Sequence, residues 1–274
     1  MDFSKAQALQ RTQQGEDGDG KDFFHYLLHA KDPETGEGFT MPELWAESNL
    51  LIIAGSDTPA TAIAGVFYYL THHPRVLLNL EQEVRSTFFH VDEIDNYSST
   101  KLASCTYLRA CIDETMRMSP SVTGTVPREV LEGGLLVDGE LIPAGTVVGT
   151  GFYSIHHNPA YFTEPFKYYP ERWIAGSSTD VTPESVELAR SGFFPFSHGP
   201  RACLGKNLAY MEMRTVIART VFLHDMRLAP GSTLGDDEDG VEDERKGEFA
   251  LKDRWQAEKD GPLVQFRQRI IQRS

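Results

Sequence analysis

Phe196-Ser197-His198-Gly199-Pro200-Arg201-Ala202-Cys203-Leu204-Gly205 is the stretch on which the reading of this chain turns, and a helical pattern begins directly behind it. Two glycines flank one cysteine. Glycine at such places permits a tight turn with positive φ, which aims the sulfur outward while backbone N–H groups turn toward it. The helix start adds the positive end of a peptide dipole, and both effects favour thiolate over thiol. A thiolate held this way is a metal ligand or a nucleophile. His198 is near enough in sequence to serve as the base of a cysteine hydrolase, although Arg201 and bulky Phe196 leave no evident oxyanion site. A buried structural cysteine is the third option.

Outward from the loop, Leu204, Leu208, Met211, Ala218 and Phe222 recur at helical spacing and predict a final helix over 205–224 with that stripe facing the core. Residues 159–196, rich in Pro, aromatic and turn residues, predict irregular but packed chain. Over 133–152, Asp138-Gly139 and Pro143-Ala144-Gly145 punctuate short apolar runs and predict a small antiparallel sheet. Helices are predicted over 22–30, 41–71, 74–89 and 101–118, with a polar segment filling most of 1–40. The 41–71 pattern is apolar all round from Leu50 to Ala54, which predicts burial. Pro42, Glu43 and Glu47 suit its start. Near the C-terminus Gly261-Pro262 separates two strand-like runs, and the acidic stretch 235–248 reads as a solvated loop.

A chain of 274 residues, 40% hydrophobic, can bury a sizeable core. Its net charge of -14 argues against nucleic acid as a partner, since phosphate surfaces are bound by clustered Lys and Arg. The first twenty residues lack the apolar run of a signal peptide or membrane span, so no membrane segment and a cytoplasmic location are expected for the chain as written. Three cysteines without C-x-x-C spacing suggest neither a disulfide framework nor a zinc site. Cys105 and Cys111 read as core cysteines. His72, His73, His156 and His157 suit helix-end or turn roles rather than metal ligation.

Two further motifs stand upstream. Ala54-Gly55-Ser56-Asp57-Thr58 places a carboxylate and a hydroxyl in an otherwise apolar helix, which is costly unless they are hydrogen-bonded or line a cavity. The competing account is a local distortion in which Thr58 bonds back to its own turn. Glu114-Thr115-Met116-Arg117 sets opposite charges three residues apart on one helical face.

The ten-residue loop resembles, at every fixed position, the F-x-x-G-x-R-x-C-x-G haem-binding signature of the cytochromes P450, and the similarity is read from about residue 22 to the C-terminus. Ala54–Thr58 resembles that family's A-G-x-[DE]-T oxygen groove, with Pro59 where a second Thr is frequent. Pro170-Glu171-Arg172-Trp173 resembles its P-E-R-F segment, with Trp173 in place of Phe.

The resemblance implies a mainly α fold with a small β region, the C-terminal haem-binding half of the family's fold, its N-terminal half absent. It implies haem b as cofactor, with Cys203 as the iron's axial ligand. Arg201 and, at its approximate alignment, Arg128 would meet the propionates. Phe196, Gly199, Gly55 and Ala54 would shape the haem and oxygen surroundings. Thr58 and Asp57 would hold dioxygen or water and deliver protons, and Glu114, Arg117 and Arg172 would form a structural charge network.

The implied reaction inserts one oxygen atom from dioxygen into a small lipophilic substrate. An NADPH-dependent flavoprotein reductase supplies the electrons, and the setting resembles filamentous-fungal secondary metabolism or detoxification. A full-length relative is expected at the endoplasmic reticulum membrane. The alternative is a truncated, non-catalytic remnant with weak or no haem binding.

Overall fold

Asp22 shows how local chemistry starts an element in this chain: its carboxylate accepts the His25 amide at 2.7 Å and is itself held by Arg11 Nε at 2.7 Å. The helix it caps is α2, Phe23–His29, preceded by α1, Asp2–Gln13. The computed structural model describes residues 2–13, 21–95, 100–236, 247–254 and 256–270. Most of the predicted acidic loop lies outside the described residues. The chain divides into two units, Met1–Asp57 and Thr58–Ser274, and the division falls inside the long helix α3, Met41–His72.

In the first unit, Phe24 of α2 packs on Leu44 of α3, flanked by Leu27, Leu28, Met41 and Trp45. This cluster ends before the turn from Leu50 to Ala54, which corrects the predicted burial there: Leu50 is 55% exposed, and Ile52 and Ile53 are exposed as well. Periodicity specifies an apolar face, but covering it takes a packed element, and among the described residues none covers this turn.

The second unit is built on the C-terminal half of α3. Ala62, Val66, Tyr68, Tyr69 and Leu70 join Val76, Leu80 and Val84 of α4 (Pro74–Thr87), Leu108 and Ile112 of α6 (Thr106–Met118), and α9 (Lys206–Leu223) in one core. On length and composition alone α3 could cross a membrane, which the expectation of no membrane segment had missed. Its second half is instead the centre of this core.

The helix predicted over 101–118 is two: α5, Thr100–Ser104, and α6, separated by Cys105 in extended conformation. The break has a tertiary cause. Glu83 of α4 presents both carboxylate oxygens to the first turn of α6, accepting the Tyr107 and Leu108 amides at 2.8 Å each. A side chain from a neighbouring helix thus does the work of an N-cap.

Beyond α6, strand β1 (Arg128–Glu129) pairs antiparallel with β4 (Val147–Val148), and β2 (Leu135–Val137) pairs with β3 (Glu140–Ile142) across Asp138-Gly139. Both turn residues have positive φ, 49° and 87°, as a tight two-residue hairpin turn requires. Next comes α7, Phe152–His156. The segment predicted to be irregular contains a helical turn at Pro170–Trp173 and a nine-residue helix, α8 (Pro183–Ser191), which Thr182 and Ser185 close with a reciprocal capping box.

The predicted core stripe of the last helix is borne out at Ala218 and Phe222 and corrected nearer its start. Leu204 precedes the helix and is 95% exposed, and Met211 is also exposed. The buried face is Tyr210, Met213, Ile217 and Val221, joined by Ala218 and Phe222. Strand β5 (His224–Leu228) follows and pairs with β8 (Val264–Gln268), while β6 (Leu251–Lys252) pairs with β7 (Glu258–Lys259).

Glu83→Ala should lower stability by about 1–2 kcal/mol in urea unfolding, because two amides of a partly buried helix start lose a charged acceptor. Glu83→Gln, which keeps one acceptor oxygen, should recover part of the loss.

Candidate functional site

A carboxylate in a protein interior is tolerated only when donors replace the water it has lost. Glu114, with no exposed surface, receives five. Arg117 Nε and Nη2 donate at 2.9 and 3.0 Å, Arg172 Nε at 3.0 Å, the Tyr169 amide at 2.9 Å and the Trp173 indole N–H at 3.0 Å. Burial alone would raise the pKa of Glu114, but the two guanidiniums and these hydrogen bonds hold it down at about 2. Trp173, which takes the place of an apolar Phe, thereby supplies a donor that Phe lacks.

The arginines spend their remaining N–H groups on main-chain carbonyls. Arg117 Nη1 donates to His156 and Pro165, and Arg172 Nη1 to Thr163, all within 2.9 Å. Those of Thr163 and Pro165 lie in chain with little regular structure, and that of His156 lies at the end of α7, where a helix leaves its last carbonyls without partners of its own. Glu171 points the other way, accepting from Arg75 of α4 at 2.7 Å and from the Tyr107 hydroxyl at 3.0 Å. This second tie had no signal in the sequence, because its partners lie 96 and 64 residues away.

From the hub the chain runs through Phe193 and Phe194 into the cysteine loop. The Cys203 amide donates to the Phe196 carbonyl at 2.8 Å and closes the loop, with Ser197 and Gly199 at φ of 62° and 75°. The Phe196 ring lies 5.1 Å from that of Tyr210, whose hydroxyl donates to buried Asp113 at 2.7 Å. Phe196, Ser197 and His198 line a cavity of about 850 Å³ together with Arg109, Trp173 and Lys206.

Cys203 opens to solvent, alongside exposed Arg201, Ala202 and Leu204. The expectation that amides turn toward its sulfur is corrected: among the described residues no N–H donates to it, and the Ala209 amide is engaged at 2.9 Å by the Gly205 carbonyl. No hydrogen bond joins it to His198 either. Cys105 and Cys111 are buried. Burial pushes the Cys105 thiol up to about 11 and that of Cys111 well above its ordinary value.

The remaining site residues lie on other elements. Ala54, Gly55 and Asp57 are exposed on α3, and Thr58 on the same helix is half-buried. The Thr58 carbonyl accepts from Ser121 Oγ at 2.8 Å. Pro59 is buried inside α3 and supplies no N–H to the Gly55 carbonyl. Arg128, at the start of β1, is exposed and donates to the Pro127 carbonyl at 2.8 Å. Among the described residues no group of three His, Cys, Asp or Glu is placed to hold a metal ion. His156 and His157 are buried, and burial followed by the Arg117 charge pushes their pKa values down to about 3 and about 4.

Against this geometry, comparison with known proteins is consistent. The family model for cytochrome P450 matches residues 2–242, starting earlier and ending sooner than the stretch read from the motifs. Cytochrome P450 monooxygenase apf7 of Gibberella fujikuroi is 46% identical over 256 residues, covering 90% of this chain and 46% of the relative. Cytochrome P450 monooxygenase AKT7 of Alternaria alternata is 41% identical, over 95% of this chain and 51% of the relative. Lower in the series, monooxygenase lcsN of Purpureocillium lilacinum is 43% identical, over 91% and 72%.

The chain thus spans about half the length of the first curated relatives it matches. Among solved structures, a cytochrome P450 crystal structure superposes with a TM-score of 0.76 at 22% identity, covering 98% of this chain and 56% of that one. The haem domain of cytochrome P450DA gives 0.75 at 21%, over 98% and 53%. These two establish the fold.

Removing one guanidinium leaves Glu114 buried and undercompensated, so Arg172→Ala should cost about 3–5 kcal/mol in urea unfolding. Trp173→Phe, which removes one neutral donor, should cost roughly 1–2 kcal/mol. A group whose folded pKa lies below its unfolded value loses its contribution to stability as pH falls between the two. For His156 and His157 that window runs from 6.5 down to about 3 and 4, and for Glu114 from 4.5 to about 2. The urea midpoint should therefore fall on acidification from pH 6.5, and fall more steeply below 4.5.

Proposed function

The chain belongs to the cytochrome P450 family, and from that premise we propose that it carries the haem-thiolate half of a monooxygenase, in which the Cys203 thiolate would hold the iron of haem b. The observation that carries this reading is the contrast among the three cysteines: two are buried with raised pKa, and the third is exposed at the tip of a closed loop. The residues fit the group. The Cys203 sulfur belongs to an exposed residue with exposed Arg201 and Leu204 beside it, and even a Cβ on Gly205 would make only an ordinary contact with it at 3.8 Å, so the sulfur is open to a ligand. Leu204 offers an apolar surface to a porphyrin face, and Arg201 a planar donor to a propionate. Arg128 is proposed for the second propionate.

When bound, a thiolate-ligated haem supplies the oxidising chemistry for inserting one oxygen atom of dioxygen into a substrate. The protein's part is geometry and protons. The Phe196 carbonyl, by holding the Cys203 amide, keeps the loop from unwinding. On α3, the Thr58 hydroxyl is proposed to hold dioxygen or a water and the Asp57 carboxylate to hand protons on. Ser121, bonded to the Thr58 carbonyl, steadies that turn.

The substrate class proposed is small and lipophilic, in fungal secondary metabolism or detoxification. The electron donor proposed is an NADPH-dependent flavoprotein reductase, and the endoplasmic reticulum surface is the proposed location of a full-length relative. A second reading, a non-catalytic remnant that binds haem weakly or not at all, draws on the exposed apolar turn at Leu50–Ile53.

The purified chain reconstituted with haem, reduced and exposed to carbon monoxide, should show the far-red-shifted Soret band of a thiolate-ligated ferrous haem. Cys203→Ser should abolish it, and Cys105→Ser and Cys111→Ser should leave it. Persistence of the band in Cys203→Ser removes the ligand assignment, and its absence in the wild type supports the remnant.

A further inference from the structure

We infer that His156 is a positioning residue of the cysteine loop: as a neutral ring protonated on Nδ1, it accepts the Phe194 amide on Nε2 and ties the start of the loop to the Glu114–Arg117 hub. What this means for the thiolate rests on the haem-thiolate reading, whereas the tie itself does not.

His156 ends α7 and has no exposed surface. Its two polar ends face different parts of the fold. The main-chain carbonyl accepts Arg117 Nη1 at 2.9 Å, and Arg117 is itself fixed on Glu114 by two bonds. Ring Nε2 lies 3.3 Å from the Phe194 amide nitrogen. Two residues further on, the Phe196 carbonyl holds the Cys203 amide. A short relay of hydrogen bonds thus runs from the buried carboxylate to the cysteine.

An amide N–H can only donate, so Nε2 must be the bare nitrogen of the ring, and a neutral imidazole then carries its proton on Nδ1. Nδ1 is buried and makes no hydrogen bond among the described residues, while the main-chain carbonyls of Met116 and Arg117, at the last turn of α6, act on the ring electrostatically. A cationic ring would have no acceptor to offer. Burial, then the charge of Arg117, then that of His157 disfavour the cation and keep the ring neutral down to about pH 3. The aromatic rings of Phe193, Phe194 and Phe152, with centroids at 5.4, 6.0 and 6.3 Å, confine the ring plane.

A histidine that merely filled space would be replaced at little cost by phenylalanine, and one that positions the loop would not. The test uses the whole chain as wild type, His156→Phe and His156→Gln, the last restoring an acceptor oxygen. Amide exchange followed by mass spectrometry reads residues 194–203 without haem. His156→Phe should speed exchange there by about tenfold, the equivalent of one lost hydrogen bond, while α4 stays protected, and His156→Gln should restore most of the protection. In the reconstituted, carbon-monoxide-bound form, His156→Phe should shift intensity out of the far-red Soret band and His156→Gln should return it.

Nitrogen-15 shifts of the wild-type ring decide the tautomer even if the Phe variant does not fold. A proton on Nε2, or unchanged exchange over 194–203 in His156→Phe, overturns the inference. A wild type with no far-red band defeats the haem-thiolate reading instead and leaves the exchange and tautomer results to judge the tie.

Discussion

The carboxylate of Glu114, held entirely away from water, is the constraint that the rest of the described structure serves. Stripping an ion of its hydration costs far more than a single partner returns, so the cost has to be met by several donors from separate parts of the chain. Those donors come from α6 itself and from residues 169, 172 and 173, and so the charge can be buried only when this segment lies against α6. The arginines then reach carbonyls at 156, 163, 165 and 167, so a stretch with little regular structure can still be packed. The cysteine loop emerges from that stretch already oriented. The geometry of an irregular segment is thus borrowed from an ion cluster beneath it.

The parts of this arrangement legible in the sequence were those written in side-chain chemistry at fixed spacing. Glycine, arginine and cysteine in the order of residues 199, 201 and 203 carry their meaning locally, as do a glutamate and an arginine one helical turn apart. What escaped were interactions whose partners are remote or lie in the main chain. The Tyr169 amide leaves no trace in a residue pattern, and the cap that Glu83 places on α6 spans 24 residues to Tyr107. It was this cap, not any helix-breaking residue, that split the helix predicted over 101–118.

Periodicity failed in two instructive ways. The stripe read from Leu204 included a residue outside the helix, and starting the phase there rotated the predicted face away from Tyr210 and Met213. At Leu50–Ile53 the pattern was apolar, but an apolar side chain is buried only if something is there to cover it. His156 was read as a helix-end or turn residue, and it ends α7. Its second bond, to an amide 38 residues away, could be seen only after folding.

Trp173 carries a consequence of another kind. The chain has three tryptophans, and this one is buried with its indole N–H on the central carboxylate. An indole in so dry a setting emits at shorter wavelength than one in water. Loosening of the ion cluster would wet it and redden its emission, so the protein holds an optical gauge of its own scaffold, readable with no added probe.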